Sequence, residues 1–137
     1  GLDCAFCHAG ARRQAGAGMP AGETCLGCHQ QAWTVTAQFA PVRDAVAANR
    51  STTWASVHRL PDHVRFHHGA HAAAGVGCAT CHGPVETMPR TVKAETLSMG
   101  WCLDCHRAPA ARGLPARSIT HAGLEIPALT ACTTCHR

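Results

Sequence analysis

Residues 66–82 read FHHGAHAAAGVGCATCH, and this stretch decides how the rest of the chain is organised. It closes on Cys78-Ala79-Thr80-Cys81-His82, the covalent attachment pattern for c-type haem. It opens on a run of histidines, His67, His68 and His71, of a type that supplies ligands to haem iron. One short segment therefore combines an attachment site with candidate ligands for its own iron and for a neighbouring one.

Working outward, the same closing pattern recurs four more times. The ten cysteines fall into five C-x-x-C pairs, each followed at once by a histidine. Motif 1 is Cys4, Cys7 and His8; motif 2 is Cys25, Cys28 and His29; motif 3 is Cys78, Cys81 and His82. Motif 4 is Cys102, Cys105 and His106, and motif 5 is Cys132, Cys135 and His136. The spacing has a mechanical reason. Two thiols one helical turn apart can each form a thioether to one vinyl group of a single porphyrin, and the next residue then offers its imidazole to the iron. Two other uses of C-x-x-C fit less well. A closed four-cysteine zinc site consumes pairs two at a time, and five is odd. A redox dithiol has no need of a histidine after every pair. The expected cofactors are five haem c, with His8, His29, His82, His106 and His136 as proximal ligands.

Composition agrees. Aromatic residues make up 4% of the chain, with no Tyr, so the side chains that usually fill a core are scarce. Five haems in 137 residues leave about 27 residues each. The expected fold is mainly α with much irregular structure: a multihaem cytochrome c wrapped round five covalently bound haems, and dependent on them for folding. The formal charge is +4, and all the basic residues but Lys93 are Arg. Each oxidised haem adds −1 through its propionates, so the oxidised holoprotein would sit near −1 and the reduced one near −6. The arginines read as partners of propionates rather than of phosphates, and nucleic acid is not an expected partner. Haem is attached to such motifs outside the cytoplasm, so the chain is expected to be exported. No signal peptide or membrane-spanning run is visible, which implies a removed signal or an anchor absent from this chain.

Taken in order, the chain reads as one domain over 1–137, with the first two motifs in 1–49 and three in 50–137. A helix is expected to continue from motif 2 through Gln31 to Phe39, and another to run over Val42 to Ala48 behind Pro41, with Asn49 as its stop. The gap between motifs 2 and 3 is 48 residues, against 16, 19 and 25 elsewhere. Within it, Thr52 to Val57 reads as extended, and Val64 or Arg65 to Ala74 as a short helix stopped by Gly75. On that helix His68 and His71 share a face and His67 does not. Gly83-Pro84 reads as a turn, and Arg90 to His106 as a helix leading into motif 4. Arg107 to Pro127 is a proline-bearing connector.

Low-spin electron-transfer haems need a second axial ligand. Six histidines lie outside the motifs (His58, His63, His67, His68, His71 and His121), beside Met19, Met88 and Met99. The count allows five bis-His sites, or four with one His/Met site. The expected distal set is His58, His68, His71 and His121, completed by Met99 or Met88; His63 and His67 fall outside it. A Met ligand would raise that haem's potential; otherwise the Met side chains pack against porphyrin.

Phe66-x-His68-x-x-His71 followed by motif 3 resembles the class III multihaem cytochromes. That resemblance implies that His68 serves the haem held by His82 and that His71 serves a neighbour. A wider run is similar to the pentahaem c-type cytochrome subunit of bacterial alternative complex III. It comprises Val57-His58-Arg59-Leu60-Pro61-Asp62, Phe66 to His71, Gly75 to Cys78, Cys81 to Val85, Met88 and Ser98 to Arg107. This implies a periplasmic relay on the inner membrane, taking electrons from the iron–sulfur and membrane subunits of a quinol-oxidising complex. Its downstream acceptor would be a monohaem cytochrome or an oxidase. Association with the membrane would run through those partners or through an anchor. Two other functions remain open to the same residues: a free shuttle or extracellular filament unit, and a reductase with one open iron. No nucleophile with a general base is evident, so an electron-transfer protein rather than an enzyme in its own right is expected.

Overall fold

A C-x-x-C pair asks for one turn of helix and little more, and the helices are correspondingly short. The computed structural model describes residues 1–114 and 129–136. Among them the α-helices are α1 (Cys4–Cys7), α2 (Gly22–His29), α3 (Ala40–Ala47), α4 (His68–Ala73), α5 (Ala79–His82), α6 (Met99–Arg107) and α7 (Cys132–Cys135). Single 3-10 turns lie at Ala9–Arg12, Ala37–Phe39, Val85–Thr87 and Pro109–Arg112. The described residues form no sheet; Val64 and His136 make an isolated antiparallel bridge. None of the helices is long and apolar enough to cross a membrane, among the described residues. The mainly helical, irregular architecture expected from the sequence is what is found.

Local chemistry explains where the helices start and stop. Asp3 caps α1 by accepting from the Ala5 N–H at 2.7 Å, and Ser98 caps α6 by accepting from Trp101 N–H at 3.2 Å. Two stops have the same hydrogen-bond pattern. After α3, Asn49 takes φ 50° while Asn49 N–H bonds Val46 O and Arg50 N–H bonds Ala45 O. After α4, Gly75 takes φ 82° while Gly75 N–H bonds Ala72 O and Val76 N–H bonds His71 O. Both satisfy the orphan carbonyls of a helix end through a left-handed residue. The stops expected at Asn49 and Gly75 are therefore present.

Three expected elements differ. No helix runs from Gln31 to Phe39: Trp33 adopts φ 58°, and the chain folds back so that Trp33 and Phe39 both meet the His29 ring, at 5.3 and 3.9 Å between centroids. The β-branched run Thr34-Val35-Thr36 offers little helical propensity to resist this. The helix expected over 90–106 begins only at Met99, because Leu97 has φ 50° and Ser98 caps the first turn. The helix expected from Val64 or Arg65 begins at His68, because Val64 and Arg65 are engaged with 135–136, Arg65 N–H donating to Cys135 O at 2.7 Å. Residues 52–57 pair with no other strand.

The core is minimal. Among the described residues, Val42, Ala45, Pro109 and Leu114 are the buried apolar side chains, while Leu2, Phe6, Trp33, Val35 and Met99 stand open to solvent. A folded chain of 14.4 kDa ordinarily exposes roughly 6,800 Å². This one exposes 9831 Å². Its segments touch at few close points. One is α2 on α3, where Gly22 leaves room for Val42 and Val46. Another is α4 on the Ala9–Arg12 turn and the residues after it, where Gly69 lies against the Arg13 backbone. A Cβ at Gly69 would stand 2.7 Å from Arg13 C, whereas one at Gly100 in α6 would meet nothing within 4 Å. Gly69→Ala should therefore lower the stability of the holoprotein by about 1–3 kcal/mol through overpacking. Gly100→Ala should raise it by about 0.5–1 kcal/mol through helix propensity. Thermal unfolding of the two variants beside the parent checks the opposite signs.

Candidate haem-binding site

Each motif sits on a helix or at its edge, which holds its two thiols about one turn apart. Motif 1 spans α1, motif 2 ends α2, motif 3 runs from the N-cap of α5 to its last residue, motif 4 lies in α6 and motif 5 spans α7. None of the ten thiols is paired in a disulfide, and all are exposed or half-buried. Burial pushes the thiols of Cys81, Cys102 and Cys105 above the usual cysteine range, and neighbouring cysteines add to this at Cys81 and Cys102. A redox-active dithiol needs the opposite shift. No three His, Cys, Asp or Glu side chains converge as a metal-ion cage among the described residues.

The imidazoles share a second feature. His8 Nδ1 donates to Gly18 O at 2.7 Å, His29 Nδ1 to Ala32 O at 3.2 Å, and His106 Nδ1 to Leu129 O at 3.0 Å. His68 Nδ1 donates to Ala15 O at 2.7 Å and His71 Nδ1 to His67 O at 2.9 Å. A carbonyl only accepts, so Nδ1 carries a proton, and in the neutral form of such a ring the lone pair lies on Nε2. That is the state in which an imidazole binds metal, its other nitrogen held by an outer hydrogen bond. Burial lowers the pKa of His71 and His82, and of His58 beside Lys93, which further favours the neutral ring.

His67 is arranged differently. Its Nδ1 accepts from Ala70 N–H at 3.1 Å and so caps α4. Its lone pair is used by the backbone, and the side chain acts as a structural cap.

Three histidines of the 63–71 segment face three motif histidines. His68 and His82 have ring centroids 6.3 Å apart with planes 10° from parallel. His71 and His106 are 6.0 Å apart at 27°, and His63 and His136 are 5.5 Å apart at 22°. Two imidazoles that ligate one metal from opposite sides through nitrogens at about 2 Å place their centroids about 6 Å apart. The donor types, the Nδ1 hydrogen bonds and these separations fit haem. The residues able to hold it are the motif cysteines as thioether anchors and the facing imidazoles as axial ligands.

The remaining candidates lie as follows. His58 is half-buried, 4.4 Å from the His82 ring and edge-on to it, and its buried Nε2 has no hydrogen-bond partner. Met99 is the first residue of α6 and 66% exposed. The Met88 methyl packs on the backbone of Gly83, next to His82. His121 lies outside the described residues. The sequence analysis leaves His63 out of the distal set, yet the fold brings it to His136. The pairing joins positions far apart in the chain through the Val64–His136 bridge, and no local pattern signals it.

Residues 64–137 match the family described as cytochrome c7 and related cytochrome c. The chain is also similar to the multiheme cytochrome c subunit of menaquinone reductase from Nitratidesulfovibrio vulgaris, 30% identical over 83 residues. That alignment covers 60% of this chain and 39% of the relative, so the chain spans well under half of the relative's length.

The three neighbours in α4 and its cap separate by experiment. His67→Ala should cost about 1 kcal/mol of stability through loss of the cap, with every haem still low-spin. His68→Ala and His71→Ala should each open one iron to a high-spin state. Electronic absorption and electron paramagnetic resonance of the ferric proteins, with a thermal melt, distinguish the two effects.

Proposed function

The chain belongs to the family of cytochrome c7 and related c-type cytochromes, and from that premise we propose that it is a pentahaem electron relay. Haem c supplies reversible one-electron chemistry when bound. The chain's own residues anchor, orient and enclose it. Cys4/Cys7, Cys25/Cys28, Cys78/Cys81, Cys102/Cys105 and Cys132/Cys135 carry five haems, and the histidine after each pair is the proximal ligand. His68 is distal to His82, His71 to His106 and His63 to His136. His58, with its free buried Nε2, serves one of the two remaining sites, and His121 or a methionine the other. In this assignment His63 takes a place the sequence analysis gives to Met99 or Met88. The observation that carries it is the set of imidazole pairs at 5.5, 6.0 and 6.3 Å.

The relay works on the periplasmic side of a bacterial inner membrane, beside the iron–sulfur and membrane subunits of a quinone-reactive complex. Two things support this: the relative belongs to a menaquinone reductase, and the run from Val57 to Arg107 resembles the pentahaem subunit of alternative complex III. Electrons pass between that complex and a second partner such as a monohaem cytochrome or an oxidase. The chain needs no acid or base of its own for this, because each transfer moves one electron and makes no bond.

Isolation of the native protein in mild detergent, followed by a haem-stained native gel and mass spectrometry, tests the partner. Co-migration with iron–sulfur and membrane subunits is expected; a lone small band or a ladder of its multiples would replace the complex by a free shuttle or a filament. A reductive titration should take up five electrons per chain. His63→Ala should turn one of the five haems high-spin and leave four low-spin, whereas His63 left out of the iron sites would keep the spectrum unchanged.

A further inference from the structure

The turn after motif 1 is closed by its own backbone. Gly10 O accepts from Arg13 N–H at 3.0 Å and from Gln14 N–H at 2.7 Å. The chain then folds back over the same residue, so that a Cβ on Gly10 would stand 2.8 Å from both Gly16 O and Ala17 O. No side chain tolerates carbonyl oxygens that close, and only glycine lets the backbone approach in this way. Gly18, at φ 77°, ends the loop 10–18.

Two carbonyls of this loop are spent on imidazoles that belong to different motifs. Gly18 O accepts from Nδ1 of His8, the proximal residue of motif 1, at 2.7 Å. Ala15 O accepts from Nδ1 of His68 at 2.7 Å and from the His68 backbone N–H at 3.1 Å, using both of its lone pairs. Gln14 O takes the Gly69 N–H at 3.0 Å, which fastens the loop to the first turn of α4 beside that ring. His68 in turn faces His82 of motif 3, with ring planes 10° from parallel. The two acceptors, Ala15 and Gly18, flank residues 16 and 17, which are the residues that lie against Gly10. The other oriented rings take their carbonyls from elsewhere: His29 from Ala32, His71 from His67 and His106 from Leu129.

We propose that the loop 10–18 is a positioning element shared by two irons, those of motifs 1 and 3, with Gly10 as the residue that sets its shape. The proposal rests on the haem reading above and goes beyond it by giving two sites one common support. Gly10, Ala15 and Gly18 act through His8 and His68. A carbonyl that accepts from Nδ1–H makes the ring more basic at Nε2. A more basic ligand favours ferric iron and so holds the potential down, and outer hydrogen bonds are one of the levers a protein has on that potential. Displacing residues 16 and 17 moves both acceptors, weakens both hydrogen bonds and raises both potentials together.

The test is Gly10→Ala in the holoprotein, with Gly16→Ala beside it. A Cβ at Gly16 meets nothing within 4 Å, so that variant is a control inside the same loop. Proton nuclear magnetic resonance during a redox titration, with each haem assigned to its motif, reads the individual potentials. Gly10→Ala should raise the potentials of the haems on motifs 1 and 3 and leave the other three in place, and Gly16→Ala should move none. A fall in thermal stability with every potential unchanged would make the loop a purely structural element and overturn the proposal. So would a shift at one of the two haems alone, or an equal shift at all five. If Gly10→Ala does not accumulate as holoprotein, Gly18→Ala takes its place: its Cβ meets nothing, but φ 77° strains it. The same two potentials should then rise by less, and a shift confined to motif 1 would overturn the shared loop. With five haems attached, every one of these failures leaves the electron relay standing. A chain that carries no haem on motif 1 or motif 3, by mass spectrometry of its peptides, would overturn both.

Discussion

The constraint on which the structure depends is that the chain cannot close on a core of its own. Among the described residues, Val42, Ala45, Pro109 and Leu114 are the buried apolar side chains, and together they contribute only a few kcal/mol. Cohesion has to come from other links, and the hydrogen bonds of the imidazoles are the clearest of them. His68 Nδ1 reaches Ala15 O across 53 positions, and His106 Nδ1 reaches Leu129 O across 23. Each such bond is worth about 1 kcal/mol by itself. Its larger effect is to fix which ring nitrogen carries the donated proton and where the other nitrogen points.

The helix α4 shows how little sequence is needed for this. His68 and His71 are three residues apart and lie on one face. His67 sits one position outside the helix and spends its ring nitrogen on the first turn, while Gly75 closes the other end with a left-handed residue. Moving the helix start by one residue would turn both imidazoles off their faces and leave the first turn uncapped. Gly69 lets the backbone of 13–15 approach close enough to take the His68 and Gly69 N–H groups. Ligand spacing, cap, stop and contact therefore all select the same register.

What could be read from the sequence follows from how local each feature is. Attachment motifs are five-residue objects, so their positions and their helical setting were legible. So were the stops at Asn49 and Gly75 and the shared face of His68 and His71. The segments 31–39 and 90–98 misled because their course depends on tertiary contacts: Trp33 and Phe39 turn back onto His29, and Glu95 accepts from Trp101 Nε1 at 2.9 Å beside the turn that precedes α6. His63 was illegible as a partner of His136 because only the Val64–His136 bridge brings them together.

The long gap between motifs 2 and 3 has a physical reason in the same geometry. Motif 2 packs through α2 on α3. The histidine segment must lie instead between motifs 3, 4 and 5, with its helix against the turn that follows motif 1. Before α4 begins, Val64 pairs with His136. The other motif neighbours are joined by connections of 16, 19 and 25 residues, and motifs 2 and 3 by 48. The interval that looks empty of attachment chemistry is thus the part of the chain that brings His63, His68 and His71 to the histidines of three other motifs.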